Sequence, residues 1–269
     1  MNESGVSREP GTGWAGRCLH GIAAVLMNVT IYPLLIFWSL LCGLLFPFYF
    51  GFTRLCTGWD AGRIMRLYIW IYGRGWLGLT APFAPFRREG FDRHPLPPPC
   101  ILVVNHYSFF DTYFMGGLPV FDVAFAVRSW PFRMFWYAYF MRLAGYLDVE
   151  GDDWENSLAS CRKTIAAGGS ILFFPEGHRS RDGRLQRFYS GAFRVSIELG
   201  VPLVPLCLTG TDRLLPPGRT WLRPARVRLR TLPAFAPSDY PGALGYVRFR
   251  REVREVMARE LAGMREEQK

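Results

Sequence analysis

The 269-residue sequence contains almost no lysine and few histidines. Of its 32 basic residues only Lys163 and Lys269 are lysines, so arginine carries nearly all of the basic charge behind a formal net charge of +10. Arginine has a planar fork that binds phosphate through two hydrogen bonds, which indicates an anionic partner, although a bias in genomic base composition would leave the same trace. With four histidines, the chain offers few candidates for proton transfer near neutral pH.

The six cysteines show neither paired spacing nor a C-x-x-C motif. This pattern argues against a disulfide framework and a cysteine zinc site, and it is typical of a protein in a reducing compartment. We therefore expect no metal and no bound cofactor. An internal repeat is also lacking, while aromatic residues make up 16% of the chain and favour a membrane-associated protein.

From Cys18 to Thr53 the sequence has no Asp, Glu, Lys or Arg. As a helix rising about 1.5 Å per residue, this segment would exceed the roughly 30 Å hydrocarbon core of a bilayer. It is too long for a signal peptide, so we interpret it as a retained membrane anchor. Because Pro33 and Pro47 interrupt it, a single straight helix is not expected. Two forms stay open: one tilted span, or a broken helical hairpin that dips into one leaflet.

A second stretch, residues 60–80, combines arginines with tryptophan and tyrosine. Arg63, Arg66 and Arg74 fall within about 80° of one another on a helical wheel. This mixture suits the headgroup layer of an anionic membrane, although a buried helix whose arginines reach the surface would also fit. The predicted organisation is a disordered N-terminus (1–17), a membrane anchor with an interfacial helix (18–83), a proline-rich linker (84–99) and a catalytic domain (100–269).

Downstream of the linker, short apolar runs alternate with helical patterns. The predicted strands are 101–104, 123–127, 170–174 and 201–208, and the predicted helices are 131–143, 152–167, 191–199 and 246–264. This alternation predicts an α/β fold: a mixed, mostly parallel sheet flanked by helices, with ligand sites at the carboxyl ends of the strands. Residues 226–231 alternate as an exposed edge strand would, although Arg228 and Arg230 could instead be ligands. The last helix interleaves Arg and Glu and is interpreted as mostly a solvated face.

The first polar segment after a predicted strand is Asn105-His106-Tyr107-Ser108-Phe109-Phe110-Asp111. A histidine at a strand end can take a proton near neutral pH, and a nearby carboxylate can fix its tautomer and stabilise the imidazolium. Five residues on one regular helix would separate the two side chains by about 140°, so we expect His106 at or before the helix start and Asp111 inside the helix. The alternative is structural, since Ser108 and Asp111 fit a capping box.

The second polar segment, residues 175–184, follows the predicted strand 170–174. Gly177 and Gly183 permit positive φ angles and close backbone approach. The loop and its flank hold arginines in a density suited to phosphate, namely Arg179, Arg181, Arg184 and Arg187. Glu176 could hold an arginine in place or bind a substrate hydroxyl. The alternative is a solvated basic loop.

Four segments in this order resemble the glycerolipid acyltransferase family of the 1-acylglycerol-3-phosphate acyltransferase type. They are Asn105-His106-x-x-x-x-Asp111, Phe174-Pro175-Glu176-Gly177-x-Arg179-Ser180, Phe188-x-x-Gly191-Ala192-Phe193 and Val201-Pro202-Leu203-Val204-Pro205. The resemblance implies transfer of a fatty acyl group from acyl-CoA or acyl carrier protein to a lysophospholipid hydroxyl, foremost 1-acylglycerol-3-phosphate to phosphatidate. It also implies a membrane location, the inner membrane if the source is bacterial, with the catalytic domain facing the cytoplasm.

The resemblance assigns roles to particular residues. His106 would be the general base and Asp111 the group that orients it, while Glu176, Gly177 and Arg179 would bind the acceptor phosphate. Backbone amides near Gly177 would stabilise the oxyanion.

Two departures leave the acceptor open. His178 stands where the family commonly has threonine, and the second motif matches only loosely, through Arg128 as a further substrate-binding residue. The alternatives are therefore a different lysolipid acceptor or a non-catalytic membrane-remodelling relative. A nucleic-acid binder would explain the charge but not the uncharged anchor.

Overall fold

One seven-stranded sheet organises the part of the chain after the anchor. The structure is a computed structural model that describes residues 14–151, 153–180, 182–216 and 218–268. Its strands are β1 (Phe86–Glu89), β2 (Ile101–Val104), β3 (Val123–Val127), β4 (Leu147–Asp148), β5 (Ser170–Phe173), β6 (Leu203–Thr209) and β7 (Val227–Thr231), in the spatial order β1-β7-β6-β2-β5-β3-β4. Neighbours from β6 to β4 are parallel, whereas β7 runs antiparallel to β6 and pairs with β1 in parallel. The predicted mixed, mostly parallel α/β sheet is confirmed.

Helices cover both faces of this sheet. They are α1 (Trp14–Thr57), α2 (Ala61–Thr80), α3 (Asp111–Phe114), α4 (Phe135–Leu143), α5 (Trp154–Ala166), α6 (Gly191–Leu199), α7 (Thr211–Leu214) and α8 (Gly245–Glu266). Because side chains alternate across a strand, Leu102 and Val104 of β2 pack in the layer of α1, α2 and α3, while Ile101 and Val103 pack with α5, α6 and α8. Residues 1–13 of the predicted disordered N-terminus lie outside the described residues, and residues 14–17 belong to α1.

The apolar segment forms one helix, α1, which continues through Pro33 and Pro47. Each proline removes one helical hydrogen bond and can bend a helix without ending it. The chain turns instead at Gly58, where φ is 67°. Helix α2 then runs back along α1, and Trp38 Nε1 donates to the carbonyl of Tyr72 at 3.0 Å. The predicted interruption at the prolines is therefore wrong, and the helical hairpin has its turn after α1.

Helix α2 packs against the catalytic domain. Arg66 is 5% exposed, and it donates to Asp122 Oδ1 at 2.5 Å and to the carbonyl of Ala144 at 2.9 Å. Arg63 lies 3.4 Å from the other oxygen of Asp122, and of the three arginines only Arg74 is exposed. The predicted membrane-facing position is therefore wrong for Arg66, because a carboxylate of the domain supplies its anion.

Strand β7 lies inside the sheet, between β6 and β1, and β1 occupies part of the predicted linker. Arg228 and Arg230 both bind Glu89 of β1 and Glu267, which follows α8, and Arg230 also binds Glu260 of α8. The prediction of an edge strand is wrong because β1 covers it. The two guanidinium groups cross-link β1, β7 and α8, so they are not substrate ligands.

Candidate active site

The carboxyl ends of β2 and β5 bring the two polar segments together. The N–H of His106 donates to Glu176 Oε1 at 2.7 Å, and the N–H of Ser180 donates to the carbonyl of His106 at 2.8 Å. On the other side, the side chain of Asn105 pairs with both backbone groups of Leu208 in β6, at 2.8 and 2.7 Å. The backbone at His106 is therefore fixed from both neighbouring strands.

The imidazole of His106 is held by a carboxylate and by an aromatic ring. Its Nδ1 lies 2.8 Å from Asp111 Oδ2, and its ring stacks on Phe174 with centroids 4.3 Å apart. The side chain is 18% exposed. Because Asp111 engages Nδ1 as an acceptor, it favours the tautomer that keeps a lone pair on Nε2, the form a general base requires.

Asp111 is the first residue of α3 and is fully buried. Besides the imidazole, its Oδ2 accepts the backbone N–H groups of Tyr107 at 2.6 Å and Ser108 at 2.9 Å. These donors compensate the charge that burial would otherwise leave unpaired. The predicted arrangement, with His106 before the helix start and Asp111 inside the helix, is confirmed.

The Ser108 hydroxyl accepts the backbone N–H of Phe110 at 3.4 Å, just before α3 begins. Its Oγ donates to the carbonyl of Leu215 at 2.9 Å, and the N-cap residue of α3 is Phe110, which makes no side-chain cap. The reciprocal half of the predicted capping box is also present, because Asp111 accepts the N–H of Ser108 at 2.9 Å. The hydroxyl therefore accepts one backbone N–H as the capping box predicts, while its own hydrogen is donated to Leu215. A buried and bonded hydroxyl also makes Ser108 an unsuitable nucleophile.

Glu176 supports the site from inside the protein. It is fully buried, with Oε1 bound by the N–H of His106 and Oε2 by the N–H of Gln186 at 2.7 Å each. Burial raises the pKa of Glu176 to about 7, although the two N–H groups act to lower it. With both oxygens engaged and no exposed surface, this carboxylate reaches neither a phosphate nor a substrate hydroxyl. The structure therefore contradicts direct substrate binding by Glu176.

Arg179 and His178 are exposed and line the same cavity as His106. Within the described part of the chain, no ion pair involves Arg179. Gly177 has a φ of 69°, and a Cβ there would lie 2.8 Å from the ring of Tyr189. Its N–H donates to the carbonyl of Phe174 at 3.0 Å, so this amide is not a free oxyanion donor. The predicted oxyanion role therefore fails for the Gly177 amide itself.

Arg128 follows β3 and borders the cavity from another side. Its guanidinium lies 2.6 Å from Glu150, which also accepts the N–H of Ser129. The carboxylate thus already balances the charge of Arg128, and its substrate-binding role stays a prediction. Of the other loop arginines, Arg184 is exposed, and Arg181 lies outside the described residues.

A mostly apolar cavity of about 1090 Å³ opens at the imidazole. Its lining comes largely from α2, β3 and α4, with Met65, Phe125 and Phe140 as examples, and it reaches Leu40 of α1. Its volume matches the upper range of small-molecule pockets, and its lining suits an aliphatic chain. The cavity thus connects the imidazole of His106 with the anchor helix.

Sequence reasoning missed the groups that hold the base. Phe174 stacks on the imidazole, Asn105 extends the pairing of β2 with β6, and Gln186 holds the second oxygen of Glu176. Phe174 and Asn105 each directly follow a buried strand, which was the available signal. The contribution of Gln186 comes from its backbone N–H, so its side-chain identity carried no signal.

Comparison with known proteins adds to this geometry. Residues 87–209 match the family model described as Acyltransferase. This segment is an acyltransferase-family domain. It contains His106, Asp111, Glu176 and Arg179, and it confirms the family resemblance drawn from the motifs.

Relatives agree with this assignment. The chain is 35% identical over 166 residues to a 1-acyl-sn-glycerol-3-phosphate acyltransferase of Chlamydomonas reinhardtii, covering 59% of this chain and 49% of that protein. It is 30% identical over 154 residues to one of Salmonella typhimurium, covering 52% and 58%. The chain thus spans about half the length of these curated relatives. The crystal structure of the 1-acyl-sn-glycerophosphate acyltransferase PlsC from Thermotoga maritima shares the fold, with a TM-score of 0.68, 22% identity, and coverage of 88% of this chain and 97% of that one.

Proposed function

We propose that this protein is a membrane-associated O-acyltransferase that converts 1-acylglycerol-3-phosphate to phosphatidate, with acyl-CoA or acyl carrier protein as donor. The observation that carries the proposal is the His106–Asp111 pair at an apolar cavity whose lining also includes the exposed Arg179. The names of these relatives support the same acceptor, because both are 1-acyl-sn-glycerol-3-phosphate acyltransferases.

The geometry supports direct transfer between the two substrates. Nε2 of His106 takes the proton of the acceptor hydroxyl as the hydroxyl oxygen attacks the thioester carbonyl. Asp111 stabilises the imidazolium that forms, as the aspartate does in a catalytic triad. The tetrahedral intermediate then collapses, expels the thiolate, and the thiolate takes the proton from Nε2. The products are the new ester and the free thiol, with the base restored.

The two ends of the acceptor match two parts of the site. Its phosphate would meet Arg179, since a guanidinium binds phosphate bidentately and no carboxylate of the described residues pairs with this one. An acyl chain would enter the cavity lined by α2, β3 and α4. A hydroxyl between these ends would then lie within reach of Nε2.

The anchor helix supports a position in one leaflet. Helix α1 is long and apolar enough to cross a membrane by length and composition, and Phe48 and Leu55 are 74% and 86% exposed. However, Met27 and Ile31 are buried against the domain and Tyr49 packs on α2. These contacts leave no free stretch of about 20 residues, the length of a transmembrane helix. The outer face of α1 would thus lie in lipid, with the domain on the cytoplasmic side, where the cysteines described in the structure would stay reduced.

The test uses the full-length chain in nonionic detergent with labelled acyl-CoA or acyl carrier protein and a panel of lysolipids. Wild type should form phosphatidate from lysophosphatidate, and His106→Ala should lower the rate by roughly 10²–10⁴-fold while the protein stays folded. His94→Ala is the matched control, because His94 does not line the cavity. Arg179→Gln should raise the acceptor KM with little change in kcat.

Full activity in His106→Ala would end the general-base assignment. A lysolipid other than lysophosphatidate as the best acceptor would keep the acyl transfer and overturn the acceptor. No transfer to any lysolipid would instead favour a non-catalytic membrane protein.

A further inference from the structure

The loop formed by residues 218–223, called the docking loop below, is fastened to the anchor helix. Asn28 of α1 is 6% exposed, and its side chain donates to the carbonyl of Leu222 at 2.8 Å and accepts the N–H of Leu222 at 2.9 Å. One helical turn further on, the Tyr32 hydroxyl donates to the carbonyl of Thr220. Both polar functions of a buried amide are thus satisfied by a segment of the catalytic domain, which fixes the loop along α1.

The docking loop presents two arginines and an indole to the outside. Arg219 and Arg223 are exposed, and Trp221 is 49% exposed. No ion pair among the residues that the structure describes involves either arginine. A few residues later, by contrast, Arg228 and Arg230 are bound by glutamates. The docking loop therefore carries two positive charges, those of Arg219 and Arg223, that no carboxylate of the described residues compensates.

The position of the loop relative to α1 sets its depth in a membrane. The side of α1 that meets the domain includes Met27, Asn28 and Ile31, whereas Val25 and Val29 are exposed for lipid. A helix with its side chains is about 10–12 Å across, and an in-plane helix buries its apolar face about 5–10 Å deep. A segment on the far side of α1 therefore lies at the level of the lipid headgroups, where tryptophan and arginine are favoured.

We propose that the docking loop binds the headgroups of anionic phospholipids through Arg219 and Arg223, with Trp221 in the interface. Guanidinium groups bind lipid phosphates bidentately. Gly218 of the same loop lines the cavity, and the carbonyl of Leu215, just before it, accepts the Ser108 hydroxyl. Binding of the docking loop to lipid thus holds the cavity mouth at the depth of the substrate headgroups. Asn28 is a positioning residue, because it fixes the docking loop on α1. The proposal concerns lipid binding and does not depend on catalysis.

Native mass spectrometry of the full-length chain in nonionic detergent tests this, with phosphatidylglycerol or phosphatidylcholine added. All variants carry Arg179→Gln, so that the arginine at the cavity mouth does not contribute. Arg219→Gln/Arg223→Gln should weaken phosphatidylglycerol binding by about 5-fold for each arginine, since a basic residue near an anionic surface contributes about a factor of five. Asn28→Leu should weaken it as well, although both arginines remain, because the loop is released. Phosphatidylcholine binding should not change.

The matched control is Arg162→Gln/Arg259→Gln, which removes the same charge from exposed positions of α5 and α8 on the other face of the sheet. Equal losses in the control and the loop variant would overturn the proposal, as would unchanged phosphatidylglycerol binding in the loop variant. Capture of an acidic acyl carrier protein by the loop arginines, with unchanged lipid binding, would also overturn it.

Discussion

Replacing Glu176 by glutamine separates support of the base from substrate binding. The substitution keeps the shape of the side chain but leaves one oxygen and one NH2 group where two backbone N–H groups, of His106 and Gln186, now donate at 2.7 Å. One of these N–H groups must then face another donor. A hydrogen bond to a charged group contributes about 1.5–3 kcal/mol, so the backbone of His106 or of Gln186 loses a stabilising hydrogen bond of about that strength.

Catalysis should respond through kcat. A displacement of the general base by about 1 Å can lower the rate by roughly 10²-fold, so Glu176→Gln should lower kcat by about 10-fold or more. The acceptor KM should stay within about 2-fold, since Glu176 has no exposed surface with which to bind it. Arg179→Gln should show the opposite division, with a higher KM and little change in kcat.

The free energy of unfolding should depend on pH differently in wild type and in Glu176→Gln. The pKa of Glu176 is raised to about 7 from the ordinary value of 4.5, mainly because the group is buried. A raised carboxyl pKa stabilises the folded state below the unfolded pKa, and this contribution is lost as the pH rises through 7. At about 1.4 kcal/mol per pKa unit, it amounts to about 3 kcal/mol. Glutamine does not titrate in this pH range. Between pH 4.5 and pH 8, the free energy of unfolding of wild type should therefore fall by about 3 kcal/mol relative to that of Glu176→Gln.

Thermal unfolding in nonionic detergent, followed by circular dichroism at both pH values, measures this difference. At about 2–4 °C per kcal/mol, the gap between the two midpoints should change by about 6–12 °C. Glu198→Gln on α6, where the carboxylate pairs at the surface with Arg194, is the control and should leave the pH dependence as in wild type. Parallel pH curves for Glu176→Gln would refute the buried-acid argument, and a KM rise of 10-fold with unchanged kcat would restore Glu176 as a ligand.

Two further substitutions test the surroundings of the site. Arg128→Gln should leave the acceptor KM within about 2-fold, because Arg128 is paired with Glu150, and a rise of 10-fold in steady-state assays would make it a substrate ligand after all. Gly116→Ala should destabilise the protein by about 1–3 kcal/mol, since its Cβ would lie 2.6 Å from the backbone of Gly73 in α2 and force the helix away. Gly78→Ala, which meets nothing within 4 Å, is the control for thermal unfolding, and equal midpoints for the two variants would contradict this close approach.

The sequence predicted the parts of the fold that local pattern controls. Residues 123–127 and 191–199 match β3 and α6, because their ends are marked by polar residues or glycine. It also predicted the order of His106 and Asp111 around the start of α3, since the helical spacing excluded both on one helix. These features depend on neighbours in the chain, which the sequence displays.

The errors concern partners that are distant in the chain. Arg66 looked like a headgroup ligand until the fold placed Asp122 beside it, and β7 looked like an edge until β1 covered it. Similarly, α8 was interpreted as mostly solvated, yet its apolar stripe, which includes Phe249 and Val253, is buried. In each case the charge pattern was correct, but the position of the compensating group depended on tertiary contacts.

Backbone N–H groups and the imidazole, not arginines, bind the two buried carboxylates of the site, and this leaves Arg179 available for an anion. Asp111 is held by two backbone N–H groups and the imidazole, and Glu176 by two backbone N–H groups, so neither carboxylate needs an arginine. At the far edge of the sheet, by contrast, Glu89 binds Arg228 and Arg230. Because backbone amides compensate the buried acids, the loop after β5 keeps Arg179 exposed for an anion. The site is therefore negative only inside the protein and positive at its mouth, the polarity that a phosphate-bearing acceptor with a hydroxyl to be deprotonated requires.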